Sequence, residues 1–213
     1  MRIKICGMGE NYREVAALQP DLLGFIFWKP SARYFDIEQV DNLDIPKVGV
    51  FVDQSIEEIL VKTSQYALDF VQLHGNESPQ FCQTLTSLFD QSGYKTQLIK
   101  AFAVADTFDF SSLDPFIGKV SYFLFDAKGE LPGGNGIGFN WEVLKQYLGT
   151  TPYFLSGGIG LEDVNKIQEF LTEPAAQFCR FIDVNSKFEL SPGIKNVHAL
   201  GPFVKQIRQL TKE

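Results

Sequence analysis

In the stretch RIKICGMGE, residues 2–10, a cysteine stands where an apolar run ends and glycine takes over. An unreacted thiol packs as a small hydrophobe, so a cysteine kept only for packing is expected deeper inside such a run. Alternation along a strand puts Lys4 and Cys6 on one face and Ile3 and Ile5 on the other. A cation beneath the thiol would favour the thiolate and make Cys6 a competent base or nucleophile. Asp126 follows a second apolar run, SYFLF. A carboxyl group at the rim of an apolar enclosure tends to keep its proton, as a general acid must, although aspartate is equally at home as a cap or turn residue. Arg33, Gln72, His74, Asp183 and Ser186 also fall at or just beyond the ends of apolar runs.

For these groups to meet, the runs that carry them must end side by side. Clusters of β-branched and aromatic residues place eight strands, at residues 2–6, 22–27, 47–51, 70–73, 97–102, 122–125, 153–155 and 181–184. Helical periodicity separates them, clearest from Ser55, Ser78 and Leu161 and over residues 197–211. Ser55 with Glu58 has the form of a capping box, and Ser78 before Pro79 that of a capped start with proline in the first turn. The stretches near Asp36 and Ser112 read as short or irregular helices. Strands alternating with helices imply parallel pairing through right-handed crossovers. Eight such units predict an α/β fold, a closed (β/α)8 TIM barrel forming one domain over residues 1–213. The alternative is a doubly wound open sheet. Against it, no G-x-G-x-x-G follows the first strand, and the glycine-rich strand ends come late, at Gly157 and Gly158 and at residues 191–193. In a barrel the strand ends form one mouth, where the groups named above converge and where phosphate is often held after strands seven and eight. The glycine-rich run 129–138 reads either as a disordered connection or as a mobile cover over that mouth.

Composition narrows the partners. A chain of 213 residues, 45% hydrophobic, fills one substantial core. Its net charge of −7 argues against nucleic acid and anionic membranes, which need a basic face, so any bound anion must be held by a local site. With no apolar stretch of membrane or signal length, the chain is expected in the cytoplasm. Three cysteines, at 6, 82 and 179, make neither a disulfide framework nor a zinc pattern, and two histidines, His74 and His198, leave no histidine-rich metal site. Cys82, Cys179 and His198 fall in or beside helical stretches and read as packing.

Seven blocks resemble phosphoribosylanthranilate isomerase, in order and nearly end to end: KICG at 4–7, GFIFWKPSARY at 24–34, VGVFVD at 48–53, VQLHGNE at 71–77, FDAKGELPGGNGIGFNW at 125–141, LSGGI at 155–159 and IDVNSKFELSPGIKN at 182–196. The resemblance implies an Amadori rearrangement in tryptophan biosynthesis that uses no metal and no organic cofactor, with a small phosphosugar as substrate. A general acid protonates the furanose ring oxygen, the ring opens to an iminium, and a general base takes the proton from the sugar C2. The resemblance assigns Cys6 as base, Asp126 as acid and Arg33 as receiver of the anthranilate carboxylate. It assigns Asp183 as a sugar contact, a residue that could equally cap or pair within the barrel, and backbone N–H groups around Gly157, Gly158 and Ser186 as the phosphate site, and leaves His74 either substrate-facing or structural. Four positions depart from the family pattern: Ala32 for a proline, Ile137 for a lysine, Asn140 for an aspartate and Lys187 for a small residue beside the phosphate loop. Three other readings stay open. A histidine-pathway aminoaldose isomerase would carry an aspartate in place of Cys6, and an epimerase would carry metal-binding histidines. A non-catalytic phosphosugar-binding barrel would keep the glycines with no need of an acid and a base.

Overall fold

Eight parallel strands close on themselves in the computed structural model, which describes residues 1–38, 40, 43–128 and 139–210. They are β1 (Arg2–Ile5), β2 (Leu22–Ile26), β3 (Lys47–Phe51), β4 (Phe70–Leu73), β5 (Gln97–Val104), β6 (Tyr122–Ala127), β7 (Tyr153–Leu155) and β8 (Cys179–Val184). Each pairs with its successor, and β1 closes the circle on β8 with Lys4 opposite Asp183. The period of two along each strand sorts the side chains. Leu22, Val48, Val50, Ile99, Leu124, Phe154 and Phe181 fill the barrel interior with Cys6, while Ile3, Leu23, Phe25, Val71, Phe123, Leu155 and Ile182 join the larger core beneath the outer layer. Inside, the rings of Phe154 and Phe181 stack 4.3 Å apart and nearly parallel, and the Arg2 guanidinium lies 3.9 Å over the Phe181 ring.

The outer layer is less regular than the strands. The α-helices are α1 (Tyr12–Ala16), α2 (Ile56–Tyr66), α3 (Pro79–Gln91), α4 (Val164–Leu171) and α5 (Val197–Gln209). Both N-terminal signals hold: Ser55 and Glu58 make a reciprocal capping box on α2, and Ser78 accepts from the Phe81 N–H ahead of Pro79 on α3. Between β2 and β3 the described residues form no helix, and after β5 and β6 the crossovers are 3₁₀ turns, Phe110–Phe116 and Trp141–Gln146. Pro115 accounts for the first of these, because it removes one backbone donor and clashes with the preceding turn. Cys179 directly follows the 3₁₀ turn Pro174–Phe178 and begins β8, buried in the core, and one departure from the sequence reading matters below: a small antiparallel hairpin, β9 (Glu189–Ser191) and β10 (Ile194–Lys195), stands between β8 and α5.

The stacked pair gives the barrel interior a direct test. Phe154→Ala removes a fully buried ring that Phe181 cannot replace, so urea unfolding is expected to show a loss of about 3–5 kcal/mol. A loss below about 1 kcal/mol would mean that the interior repacks freely.

Candidate active site

The mouth of the barrel gathers most of the expected groups. Cys6, Arg33, His74, Asp126 and Asp183 all line one cavity at the C-terminal ends of the strands. Cys6 follows β1 and is buried; its N–H donates to the Val184 carbonyl at 2.8 Å, which extends the β1–β8 ladder to the thiol-bearing residue. The neighbouring strand makes room for it. A Cβ on Gly24 of β2 would lie 2.8 Å from Cys6 Sγ, so only glycine leaves the thiol its place.

The electrostatics around Cys6 correct the simple expectation of a thiolate. Lys4 lies on the same face of β1, fully buried, but its ammonium donates to Asp183 Oδ2 at 2.9 Å. Asp183 holds the lysine charged, above its ordinary range and against burial. Burial pushes the Cys6 thiol up from its ordinary value of 9.0, Lys4 offsets only part of that, and the Asp183 charge adds to the rise. In the resting site the thiol therefore keeps its proton.

Asp126 is fixed at both oxygens. Oδ1 accepts the N–H of Ala127 at 3.0 Å, and Oδ2 lies 3.3 Å from His74 Nε2. Gln72 Nε2 lies 2.7 Å from His74 Nδ1, and with the amide as donor the ring proton sits on Nε2, facing Asp126. His74, at the end of β4, is thus placed against the proposed acid as well as on the cavity wall.

Arg33 is held by residues that the sequence did not single out. Its Nε lies 3.0 Å from both oxygens of Glu189, and Nη2 donates to Oε2 at 2.8 Å. Lys195 Nζ donates to the same carboxylate at 2.7 Å and to Asn185 Oδ1 at 2.7 Å. The backbone opens to let these groups together at Gly7, whose φ of +73° is left-handed and whose absent Cβ would meet Asn185 Oδ1 at 2.5 Å. The only sequence signal for Glu189 and Lys195 was that both lie in the block 182–196.

The three positions expected to hold phosphate adjoin this cavity without lining it. Gly157 and Gly158 follow β7 with φ of +96° and +61°, and Ser186 opens a 3₁₀ turn after β8, but the cavity wall is made by their neighbours Ser156 and Asn185. Lys187 directs its ammonium to Glu162, 3.5 Å away in an exposed pair. Asn140 caps the following 3₁₀ turn by accepting the Glu142 N–H, so it serves there as an aspartate would. The glycine-rich run 129–138, Ile137 included, lies outside the described residues. Among the described residues no group of three or more His, Cys, Asp or Glu could hold a metal ion, and no helix is long and apolar enough to cross a membrane.

Comparison with known proteins matches the sequence and fold of this chain to those of a described family. Residues 3–206 match the family described as N-(5'-phosphoribosyl)anthranilate (PRA) isomerase. The chain is 45% identical to N-(5'-phosphoribosyl)anthranilate isomerase of Parabacteroides distasonis, over 97% of this chain and 93% of that one. It is 37% identical to the protein of the same name from Phocaeicola vulgatus, over 98% of each. The crystal structure of phosphoribosyl anthranilate isomerase from Thermus thermophilus superposes with a TM-score of 0.80 at 25% identity, covering 99% of this chain and 100% of the other.

The state of the thiol is open to measurement. Because burial raises the Cys6 thiol, its alkylation rate, followed by mass mapping to separate it from Cys82 and Cys179, is expected to rise with pH to a midpoint above 9.0. A midpoint below 9.0 would show that the nearby cations outweigh burial.

Proposed function

Because the chain belongs to the N-(5'-phosphoribosyl)anthranilate isomerase family, we propose that Cys6 and Asp126 are the base and the acid of its reaction. The protein is an isomerase of tryptophan biosynthesis, converting N-(5-phosphoribosyl)anthranilate to 1-(2-carboxyphenylamino)-1-deoxyribulose 5-phosphate. The observation that carries the assignment is the shared cavity: one carboxyl group oriented through both oxygens, on β6, and one buried thiol, just past the end of β1, line the same space.

In this reading Asp126 gives its proton to the furanose ring oxygen as the C1–O bond breaks, and the nitrogen lone pair forms the iminium. The iminium is a cation, and a cation near a buried thiol favours the thiolate that burial disfavours in the resting site, so the Cys6 proton leaves to solvent at the cavity mouth before the thiolate acts. Cys6 then takes the C2 proton, and the electrons of that C–H bond form the enolamine, which tautomerises to the ketone. The order follows from the charges: ring opening creates the field that makes the base.

Other groups take the rest of the substrate. Arg33 receives the anthranilate carboxylate through the part of its fork that Glu189 does not use. Asp183 gives Oδ2 to Lys4, while its Oδ1 is buried and accepts no hydrogen bond among the described residues, which suits it to accept one from a sugar hydroxyl. The phosphate lies on backbone N–H groups around Gly157, Gly158 and Ser186. All three cysteines are free thiols, and cytoplasm, where thiols stay reduced, is the compartment we assign.

Single substitutions test the pair. Cys6→Ser and Asp126→Asn are each expected to lower kcat by a factor on the order of 10² or more, measured by the fluorescence change as freshly made substrate is consumed. A reduced analogue of the product should still bind both variants, since each change removes a step and not a contact shared with the ground state. A folded Cys6→Ser protein with near-normal kcat would remove Cys6 from the mechanism.

A further inference from the structure

The hairpin formed by β9 and β10 is absent from the alternating strand–helix plan, yet it carries two buried charges that the mechanism does not use. Glu189 and Lys195 are cross-strand partners on it. The Lys195 side chain has no exposure, that of Glu189 has 6%, and the two are 2.7 Å apart. The hairpin is itself anchored, because the Asn11 amide donates to the Lys195 carbonyl at 2.8 Å and accepts the Lys195 N–H at 3.0 Å. A buried lysine is costly to keep charged, and burial does pull the Lys195 ammonium down while Glu189 pulls it back. Burial likewise pushes the Glu189 carboxyl up, but Arg33 and Lys195 outweigh it and hold the group below its ordinary range.

The charges explain what such an arrangement achieves. A bidentate Arg33–Glu189 pair alone is neutral, one cation and one anion, and would have little left to attract a carboxylate. With Lys195 behind Glu189, two cations face one anion and one positive charge remains. That charge is presented by Arg33, because Lys195 is fully buried and Arg33 lines the cavity. The tether also removes rotamer freedom from a long loop side chain before any ligand arrives, so that less is lost on binding.

We propose that Glu189 and Lys195 are positioning residues that lock the Arg33 fork at the mouth while preserving its positive charge for the carboxylate of the substrate. This rests on the reading that Arg33 receives that carboxylate.

The test compares two reduced product analogues, one bearing the benzoate carboxylate and one with hydrogen in its place, alongside KM and kcat. Glu189→Gln, in which loss of the charged tether outweighs the positive charge gained, and Lys195→Met, which leaves the Arg33–Glu189 pair neutral, are each expected to weaken the carboxylate analogue about 10-fold or more and to leave the carboxylate-free analogue within about twofold. KM should rise in step while kcat stays within about threefold, and Lys195→Arg should restore much of the loss. Lys195→Met alters a fully buried site, so Glu189→Gln, which keeps the shape, decides the matter if the other does not fold. If a folded Glu189→Gln protein keeps the wild-type preference for the carboxylate, or loses affinity for both analogues alike, the positioning role is wrong. Arg33→Met separates the two levels. Should it keep the preference, the carboxylate binds elsewhere and the underlying reading falls; should it lose the preference while Glu189→Gln keeps it, only the positioning inference falls.

Discussion

Closure of the sheet between β1 and β8 is the constraint on which the site depends. The register of that seam sets Lys4 opposite Asp183, two charged side chains that both point into an apolar interior. Neither could be buried there alone, since an unpaired charge in such surroundings costs several kcal/mol. Paired at 2.9 Å they fill the layer beneath Cys6, and the same ladder, continued by the Cys6 N–H, fixes where the thiol stands. A slip of one residue in this register would turn Cys6 and Lys4 outward and bring Ile3 and Ile5 into the barrel.

The site is built from charges whose sums matter more than their number. Lys4 and Asp183 cancel, so the floor beneath the thiol is nearly neutral and burial dominates its ionisation. Arg33, Glu189 and Lys195 do not cancel, and the cation that remains lies at the mouth. Asp126 lies on the far side, oriented by Ala127 and by the Gln72–His74 pair. A neutral floor suits a base that must appear only after the ring opens. A cationic rim suits a substrate with anionic ends.

How much of this the sequence disclosed depends on the range of the interaction. Strand positions were legible because period-two alternation of apolar residues is local, and so were the Ser55 and Ser78 caps, which involve groups three residues apart. Alternation also put Lys4 under Cys6 correctly. It could not show how deeply the thiol is buried, which pushes it up more than Lys4 pulls it down, nor that Asp183, 179 residues away, pairs with that lysine. Glu189 and Lys195 were missed on the same grounds: their burial comes from a hairpin folded against Asn11 and Gly7, and no local pattern marks a charged residue as buried. Most of the residues brought to the barrel mouth were recoverable, because strand ends in a closed barrel converge whatever their distance in the chain.

The central claim is that Asp126 and Cys6 act in sequence, the acid opening the ring before the base breaks the C–H bond. Substrate deuterated at the sugar C2, turned over by wild type and by the two single variants, tests this directly. Slowing the base should make C–H cleavage limiting, so Cys6→Ser should show a larger isotope effect on kcat than wild type. Slowing the acid should make ring opening limiting, so Asp126→Asn should show an effect near unity. A large isotope effect in Asp126→Asn, or none in Cys6→Ser, would contradict the assignment of the two residues to these two steps.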